Sequence, residues 1–258
     1  MMIKKINVLC LSISLMASAS CLAMSTQEID DNQSLITKDF IERQVTQNMS
    51  IGRAIKSITS HYPQHVESIV GNALDLYPDQ YREIIHAAIS SQPALTEDVV
   101  RISLEKGVSD CLDIVKVSIN AEPGYVDFVV NAAANSEPTE LGEIVRVAVV
   151  TQPDSAGTIV QSVGKQHPSR LKEIVRSALK AVPVAAEYVV DSLLAIFPSQ
   201  AESVVSTAVK QSMHQSGQVE KIIESGKTSG LSDEELTKYA ILGGATTEQV
   251  AAILNEEQ

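Results

Sequence analysis

Apolar residues recur with a period of fifteen along most of the chain, and proline marks the period. With the proline as position 1, positions 4, 7, 8, 11 and 12 of the units are mostly apolar, with Ala or Ser usual at position 11, a spacing that lines one face of an α-helix. Eleven such units cover residues 48–212, the first of them, from Asn48, without a proline. The prolines are residues 63, 78, 93, 123, 138, 153, 168, 183 and 198, and Val108 takes the place of a missing one.

Proline at the first position suits a helix start, because the first turn needs no N–H donor and the ring prevents the previous helix from continuing. Each unit is therefore predicted to form one helix of about 11 residues and a short turn. A long coiled coil is disfavoured because proline would break it every fifteen residues. A β-solenoid is disfavoured because its strands would need alternating apolar residues and its corners Gly or Asn.

Charged side chains add a second period of thirty residues. In the units that start at 78, 108, 138 and 168, position 6 is acidic and position 9 is basic or histidine, whereas the units at 63, 123, 153 and 183 lack this pair. The alternation predicts helical hairpins whose two helices occupy different layers, and such hairpins bury their apolar faces by stacking. The predicted fold is an all-α α-solenoid of fifteen-residue helical units paired as thirty-residue hairpins. The alternating pairs are Glu83/His86, Asp113/Lys116, Glu143/Arg146 and Glu173/Arg176.

Residues 1–23 have the pattern of an export signal: two lysines, an apolar run over 6–16 and small residues up to Ala23. Cleavage after Ala19 or after Ala23 fits this pattern. The apolar run is too short to span a bilayer, and no second run is long enough. A secreted or periplasmic protein is predicted. Lipid attachment at Cys21 is the less favoured alternative, because Ser18 stands where a lipoprotein signal usually has leucine.

The segments on either side of the repeats differ from them. Residues 24–47 are a polar flank in which Phe40, Ile41 and Val45 are expected to form a capping helix. Residues 213–258 are predicted to form a C-terminal helical cap rather than an independent docking module. Two short helices are expected there, around residues 236–242 and 250–254. Capping boxes at Ser232/Glu235 and Thr246/Gln249 mark their starts.

Charge and cysteine content limit the partners and the chemistry. The whole chain has a net charge of −12. Without Lys4 and Lys5 of the signal it contains 18 Lys and Arg residues and 32 Asp and Glu residues, which gives a net charge of −14. Such a surface repels phosphate backbones, so nucleic acid is not expected as a partner. Cys111 is the only cysteine outside the signal, which excludes an internal disulfide. Its apolar position 4 indicates a buried side chain rather than a reactive thiol.

Motifs for catalysis are missing from the sequence. It contains no glycine-rich phosphate loop, no HExxH pair and no nucleophile elbow. His61 and His65 could share a metal only if a carboxylate such as Glu67 joined them, and two solvated histidines are the favoured interpretation. We therefore predict no enzyme activity, no cofactor and no metal site. A metal-dependent or other enzyme is the weakest alternative.

One layer of helices is predicted to present a contact face. Outward positions 2, 6, 9 and 13 contain seven charged residues in the units at 108, 138 and 168, but only three in the units at 123, 153 and 183. Aromatic residues make up only 3% of the chain, yet two of them fall on this low-charge face. Exposed apolar and aromatic side chains are typical of contact surfaces. The candidate partner-binding residues are Phe128, Asn131, Gln161, Val184 and Tyr188.

These observations predict an exported, non-catalytic α-solenoid that serves as a protein-binding or scaffolding module. Phe128 and Tyr188 lie two hairpins apart, about 20 Å at roughly 10 Å per packed helix. The expected partner is therefore a protein or another extended polymer. A self-assembling subunit of an extracellular filament or matrix is the alternative. The charged pairs of the other layer are interpreted as a solvated face rather than a recognition stripe.

Overall fold

The computed structural model describes residues 36–48, 50–215 and 217–255. These residues form fifteen α-helices and no strand, and α2–α10 have 11 residues each, the predicted length. In chain order the helices are α1 (Lys38–Asn48), α2 (Ile51–His61), α3 (Val66–Leu76), α4 (Tyr81–Ser91), α5 (Thr96–Lys106), α6 (Cys111–Ala121), α7 (Val126–Ser136), α8 (Leu141–Thr151), α9 (Ala156–Gln166), α10 (Leu171–Ala181), α11 (Ala186–Leu194), α12 (Ala201–Ser212), α13 (Gln218–Thr228), α14 (Asp233–Gly243) and α15 (Thr247–Asn255).

The helices form two layers, which confirms the predicted solenoid. Each even-numbered helix from α2 to α14 packs against the next even-numbered one, and the odd-numbered helices from α1 to α13 do the same. Consecutive helices also contact each other, across the two layers. We call these the even layer and the odd layer. The thirty-residue period arises because helices two apart in sequence are neighbours in one layer.

Each proline begins a three-residue 3₁₀ turn, and the α-helix follows at position 4 of the unit. The residue before the proline is not helical, as at Tyr62 with φ −131° and ψ 53°, because the proline ring disfavours helical backbone there. The Tyr62 N–H donates to the Ile58 carbonyl, and the Tyr62 carbonyl accepts from the His65 N–H at 3.0 Å. The turn thus satisfies its backbone groups without a side-chain cap.

The unit that lacks its proline uses two other residues to separate its helices. Gly107 ends α5 in the left-handed conformation, with φ 61°. Asp110 then caps α6, its carboxylate accepting from the Asp113 N–H at 2.9 Å. A cap of this type stabilises a helix by about 1 kcal/mol. Gly107 and Asp110 therefore separate α5 from α6 at the place where the other units use a proline.

Small aliphatic side chains fill the core between the layers. Positions 7 and 8 of every unit from Ile69–Val70 to Val204–Val205 are completely buried. Cys111, at position 4 of its unit, is buried as predicted. Because adjacent hairpins supply equivalent residues, the core continues from one hairpin to the next.

The described ends of the chain extend both layers. In α1, Ile41 is buried, and this helix packs against α2 and α3. Helix α13, which the sequence analysis did not predict, packs on α11, while α14 packs on α12. The predicted capping box of Ser232 and Glu235 opens α14. Residues 1–23 and 24–35 of the predicted signal and flank lie outside the described residues.

Candidate binding face

The apolar candidates for partner binding lie on the odd layer and are exposed. Phe128 is in the first turn of α7, Tyr188 is in the first turn of α11, and Val184 is in the 3₁₀ turn before α11. Their exposed fractions are 41%, 65% and 67%. Helix α9 lies between α7 and α11 and contacts both. The three apolar side chains thus lie on one layer, at two helices that are separated by α9.

The two amide candidates are only half-exposed. Asn131 on α7 donates from Nδ2 to the Ser162 hydroxyl of α9 at 2.8 Å. Its Oδ1 is buried and has no hydrogen-bond partner among the described residues. Gln161 is also half-buried, one residue before Ser162. Asn131 therefore ties α7 to α9 beneath the exposed apolar residues instead of reaching out from them.

Tyr125 belongs with these residues although the sequence analysis did not select it. Its ring centroid lies 5.3 Å from that of Phe128, with the ring planes at 33°. Tyr125 is half-buried, so it supports one side of the exposed Phe128 ring. The pair could have been predicted from the sequence, because residues three apart on a helical turn lie next to each other.

A glycine allows α9 to approach α11 closely under the face. A Cβ atom at Gly157 would lie 2.4 Å from the Ser192 hydroxyl oxygen and 3.2 Å from the Tyr188 carbonyl oxygen. The Ser192 hydroxyl can rotate away from an added Cβ, whereas the Tyr188 carbonyl oxygen yields only if the helices shift by a few tenths of an ångström. Gly157 therefore permits the close approach of α9 to the helix that carries Tyr188.

Ion pairs join neighbouring helices on both sides of this face but not within it. Lys106 of α5 contacts Asp75 of α3 at 2.7 Å, and Arg101 contacts Glu67 between the same helices, also at 2.7 Å. Among the described residues, those of α7 and α9 form no ion pair. Neutral contacts hold these two helices together, so a partner could cover them without burying an ion pair.

The low-charge face ends in an acidic groove between α11 and α13. The groove has a volume of about 320 Å³, and Tyr188 forms part of its wall. Three carboxylates line it, those of Glu187, Asp191 and Glu224, together with one cation, Lys221. Lys221 lies 3.9 Å from Glu187. The remaining acidic groups favour a positively charged group beside the Tyr188 ring.

The charged pairs of the even layer differ from the predicted i,i+3 arrangement. Glu143 and Arg146 do pair in this way, at 2.6 Å. Asp113 instead pairs with Arg82 of the neighbouring helix at 2.9 Å and accepts a hydrogen bond from the Tyr81 hydroxyl. Burial raises the pKa of Asp113, but these two partners outweigh it, and the pKa lies below its usual value. The pair ties α4 to α6.

Glu173 and Glu83 also have partners other than those predicted. Glu173 pairs with Arg170, at 2.7 Å, rather than with Arg176. Glu83 accepts a hydrogen bond from the Gly52 N–H of α2 at 3.0 Å. Arg176 is consequently left without an ion-pair partner in the part of the chain that the structure describes.

The histidines considered as metal ligands do not converge with a carboxylate. The Nδ1 atom of His61 lies 2.7 Å from the Ser57 carbonyl oxygen, and Glu67 pairs with Arg101. Within the described residues no group of three or more His, Cys, Asp or Glu side chains is arranged to hold a metal ion.

None of the described helices is both long enough and apolar enough to cross a membrane.

Comparison of the sequence with protein-family models, with curated proteins and with solved structures gives no significant match.

Proposed function

We propose that this protein is an exported, non-catalytic helical-repeat scaffold that binds an extended protein partner along the low-charge face. The observation that carries the proposal is the exposure of Phe128, Val184 and Tyr188 on one layer of a protein that is 3% aromatic. Exposed side chains of this size serve as anchors in protein contacts. Helices α7 and α9 offer no competing ion pairs beside them.

The spacing of the anchors defines the partner. Phe128 and Tyr188 lie two helix spacings apart, about 20 Å, so a small ligand could not contact both. An extended polypeptide could place one apolar side chain on each anchor. The acidic groove beside Tyr188 would accept a lysine or arginine of the same polypeptide. Protein is therefore proposed ahead of an uncharged polymer.

Removal of the aromatic anchors is expected to weaken partner capture. The mature chain would be used as bait in extracts of the envelope or medium of its own host, and captured proteins identified by mass spectrometry. Affinity for the captured protein is then measured by titration. Phe128→Ala and Tyr188→Ala should each reduce the binding free energy by about 2 kcal/mol, because large buried side chains dominate interface energetics. Helicity should be unchanged, since both rings are exposed.

Two controls isolate the face. Tyr62→Ala removes another exposed aromatic ring, 42% exposed, outside the low-charge face and should leave binding unchanged. Reversal of the Glu143 and Arg146 charges tests the even layer and should have little effect. If the charge reversal abolishes binding and the two aromatic substitutions do not, the contact lies on the even layer, which would contradict the proposal. Concentration-dependent sedimentation of the protein alone, abolished by Tyr188→Ala, would favour self-assembly instead.

Export is proposed from the pattern of residues 1–23 and has its own test. Protein recovered from its native host should have lost the signal, with an N-terminus near Ser20 or Met24, because signal peptidase cleaves after small residues. Intact-mass spectrometry of the periplasmic and secreted fractions measures this directly. Recovery of the uncleaved chain from the cytoplasm would contradict export. An acylated Cys21 would instead identify a lipoprotein.

A further inference from the structure

On the even layer, helices α10 and α12 border a groove of about 290 Å³ whose charged side chains are all cationic. Lys172 and Arg176 come from α10, and Lys210 comes from α12. None of the three forms an ion pair with a described residue, and no carboxylate is among the described residues that line the groove. Lys172 and Arg176 are four residues apart on one helix, so their charges repel each other across a single turn.

This concentration of unpaired cations contrasts with the rest of the chain. Asp and Glu outnumber Lys and Arg by 32 to 20, so carboxylates are plentiful. Elsewhere in the even layer Arg82, Arg146 and Lys238 each have a carboxylate within 2.9 Å, and the unpaired Lys56 and Lys116 lie on separate helices, α2 and α6. Three adjacent cations without a counter-charge therefore favour an external anion as the missing partner.

Neutral polar side chains of α12 and the apolar Leu242 of α14 complete the lining of the groove. Thr207 is 9% exposed, yet its hydroxyl has no hydrogen-bond partner among the described residues. The half-buried Gln211, one turn later on α12, also has a side-chain amide without a partner there. Ser206 differs, because its hydroxyl donates to the Glu202 carbonyl of its own helix at 2.5 Å. Three cations and two unused neutral donors thus line one groove.

We propose that this groove binds a small oxyanion with at least two negative charges, the phosphate or sulfate group. A lining whose charged side chains are all cationic donors, without a carboxylate, matches an acceptor-only ligand. A carboxylate ligand would neutralise only one of the three cations. A long polyanion would extend onto the acidic surface beyond the groove and be repelled there. A compact dianion stays near the cations, since acidic groups beyond about 8 Å are screened at physiological salt.

The proposal is tested by calorimetric titration of the mature chain with inorganic phosphate, sulfate and acetate at constant ionic strength. Phosphate and sulfate should each bind saturably at one site, and acetate should bind about tenfold more weakly because it carries one charge. The triple variant Lys172→Gln, Arg176→Gln, Lys210→Gln should lose at least about tenfold in phosphate affinity. Thr207→Val, which keeps the volume but removes the hydroxyl, should lose several-fold.

A matched variant controls for net charge. Lys56→Gln, Lys116→Gln, Lys165→Gln removes three exposed and unpaired cations of other helices and should retain the wild-type affinity. Equal losses in both triple variants would overturn the proposal in favour of non-specific attraction, and absence of saturable phosphate binding to the wild type would also overturn it. If the groove binds, comparison of inorganic phosphate with a phosphate monoester shows whether a free ion or the end of a larger molecule is accepted.

The charge requirement has an independent readout in pH. A phosphate monoester loses its second negative charge below a pKa of about 6. Its affinity should therefore fall between pH 7 and pH 5, while the affinity for sulfate stays constant. Monoester and sulfate affinities that change in parallel would contradict recognition of a dianion.

Discussion

Replacement of Gly243 by alanine is expected to loosen the packing of α14 on α12 and to lower the free energy of unfolding by about 3 kcal/mol. A Cβ atom at Gly243 would lie 2.6 Å from the Cβ atom of Val209 and 2.7 Å from the carbonyl oxygen of Ser206. Both atoms are rigid parts of α12, so the two helices must separate. Urea unfolding followed by far-UV circular dichroism measures the loss, and amide hydrogen exchange should locate it in α14.

Gly71→Ala is the matched control for this substitution. Gly71 lies within α3, and the nearest atom to an added Cβ is the Cε atom of the flexible Lys106 side chain, at 3.4 Å. Alanine is a better helix former than glycine by up to about 1 kcal/mol, so this variant should be stabilised or unchanged. Opposite signs for the two substitutions are expected. A stabilised Gly243→Ala variant would contradict the close contact between α12 and α14.

The repeat architecture could be predicted because one physical pattern recurs eleven times. Apolar positions with helical spacing specify which face of each helix is buried, and the prolines specify where each helix is separated from the previous one. The alternation of units with and without a charged pair led to the prediction of two layers. The same logic extends to the unit with Val108, where the apolar spacing persists even though Gly107 and Asp110 form the helix boundary.

Helix α13 was missed because the period is interrupted before it. The sequence between Ser212 and Gln218 contains no proline, and Gly217 adopts a φ of 74° at the start of α13. The buried side chains of this helix nevertheless keep the spacing i, i+3, i+4 in Val219, Ile222 and Ile223. A search for the apolar face alone, without the proline register, would have found it.

The contacts between neighbouring helices of a layer were also missed, and three of them share one sequence separation. Arg82 with Asp113, Asn131 with Ser162 and Lys106 with Asp75 are each 31 residues apart. The hairpin repeat accounts for thirty of these residues. The thirty-first shows that each helix is shifted by one residue relative to the equivalent position of the helix on which it stacks. That offset depends on how the helices pack, so the residues of single helices do not reveal it. It accounts for the pairing of Asp113 with Arg82 of α4 instead of with Lys116 of its own helix.

Exposure of the candidate face was predictable, whereas the role of each residue in it was not. Helical geometry places Phe128 and Tyr188 outward whatever the neighbouring helices do. The role of Asn131 depends on Ser162 of the next odd-numbered helix, and the close approach at Gly157 depends on Ser192 of the helix after that. Such dependence on the next hairpin is inherent in a solenoid, because each unit contacts only its neighbours.

Cys111 in the chain that begins at Met24 is expected to react with iodoacetamide at pH 8 about a thousandfold more slowly than an exposed cysteine. Burial raises the pKa of its thiol to about 12, and the nearby carboxylates Glu140, Glu137 and Asp110 act in the same direction. Only the thiolate attacks the reagent. An ordinary thiol with a pKa of about 8.5 is roughly one quarter ionised at pH 8, whereas a thiol with a pKa of about 12 is ionised to about one part in ten thousand.

The rate is measured by intact-mass spectrometry on the chain that begins at Met24, in which Cys111 is the only cysteine. The control variant Cys111→Ser, Asn120→Cys moves the thiol to an exposed position on the same helix and should react at the ordinary rate. Unfolding in urea should bring wild-type Cys111 to that rate. Because the folded pKa is raised, the thiol's contribution to stability is complete below its unfolded pKa of about 8.5 and is lost as the pH rises toward 12. Labelling of the native chain at a rate close to the control would mean that α6 is not packed at its first residue, where Asp110 rather than proline begins the helix.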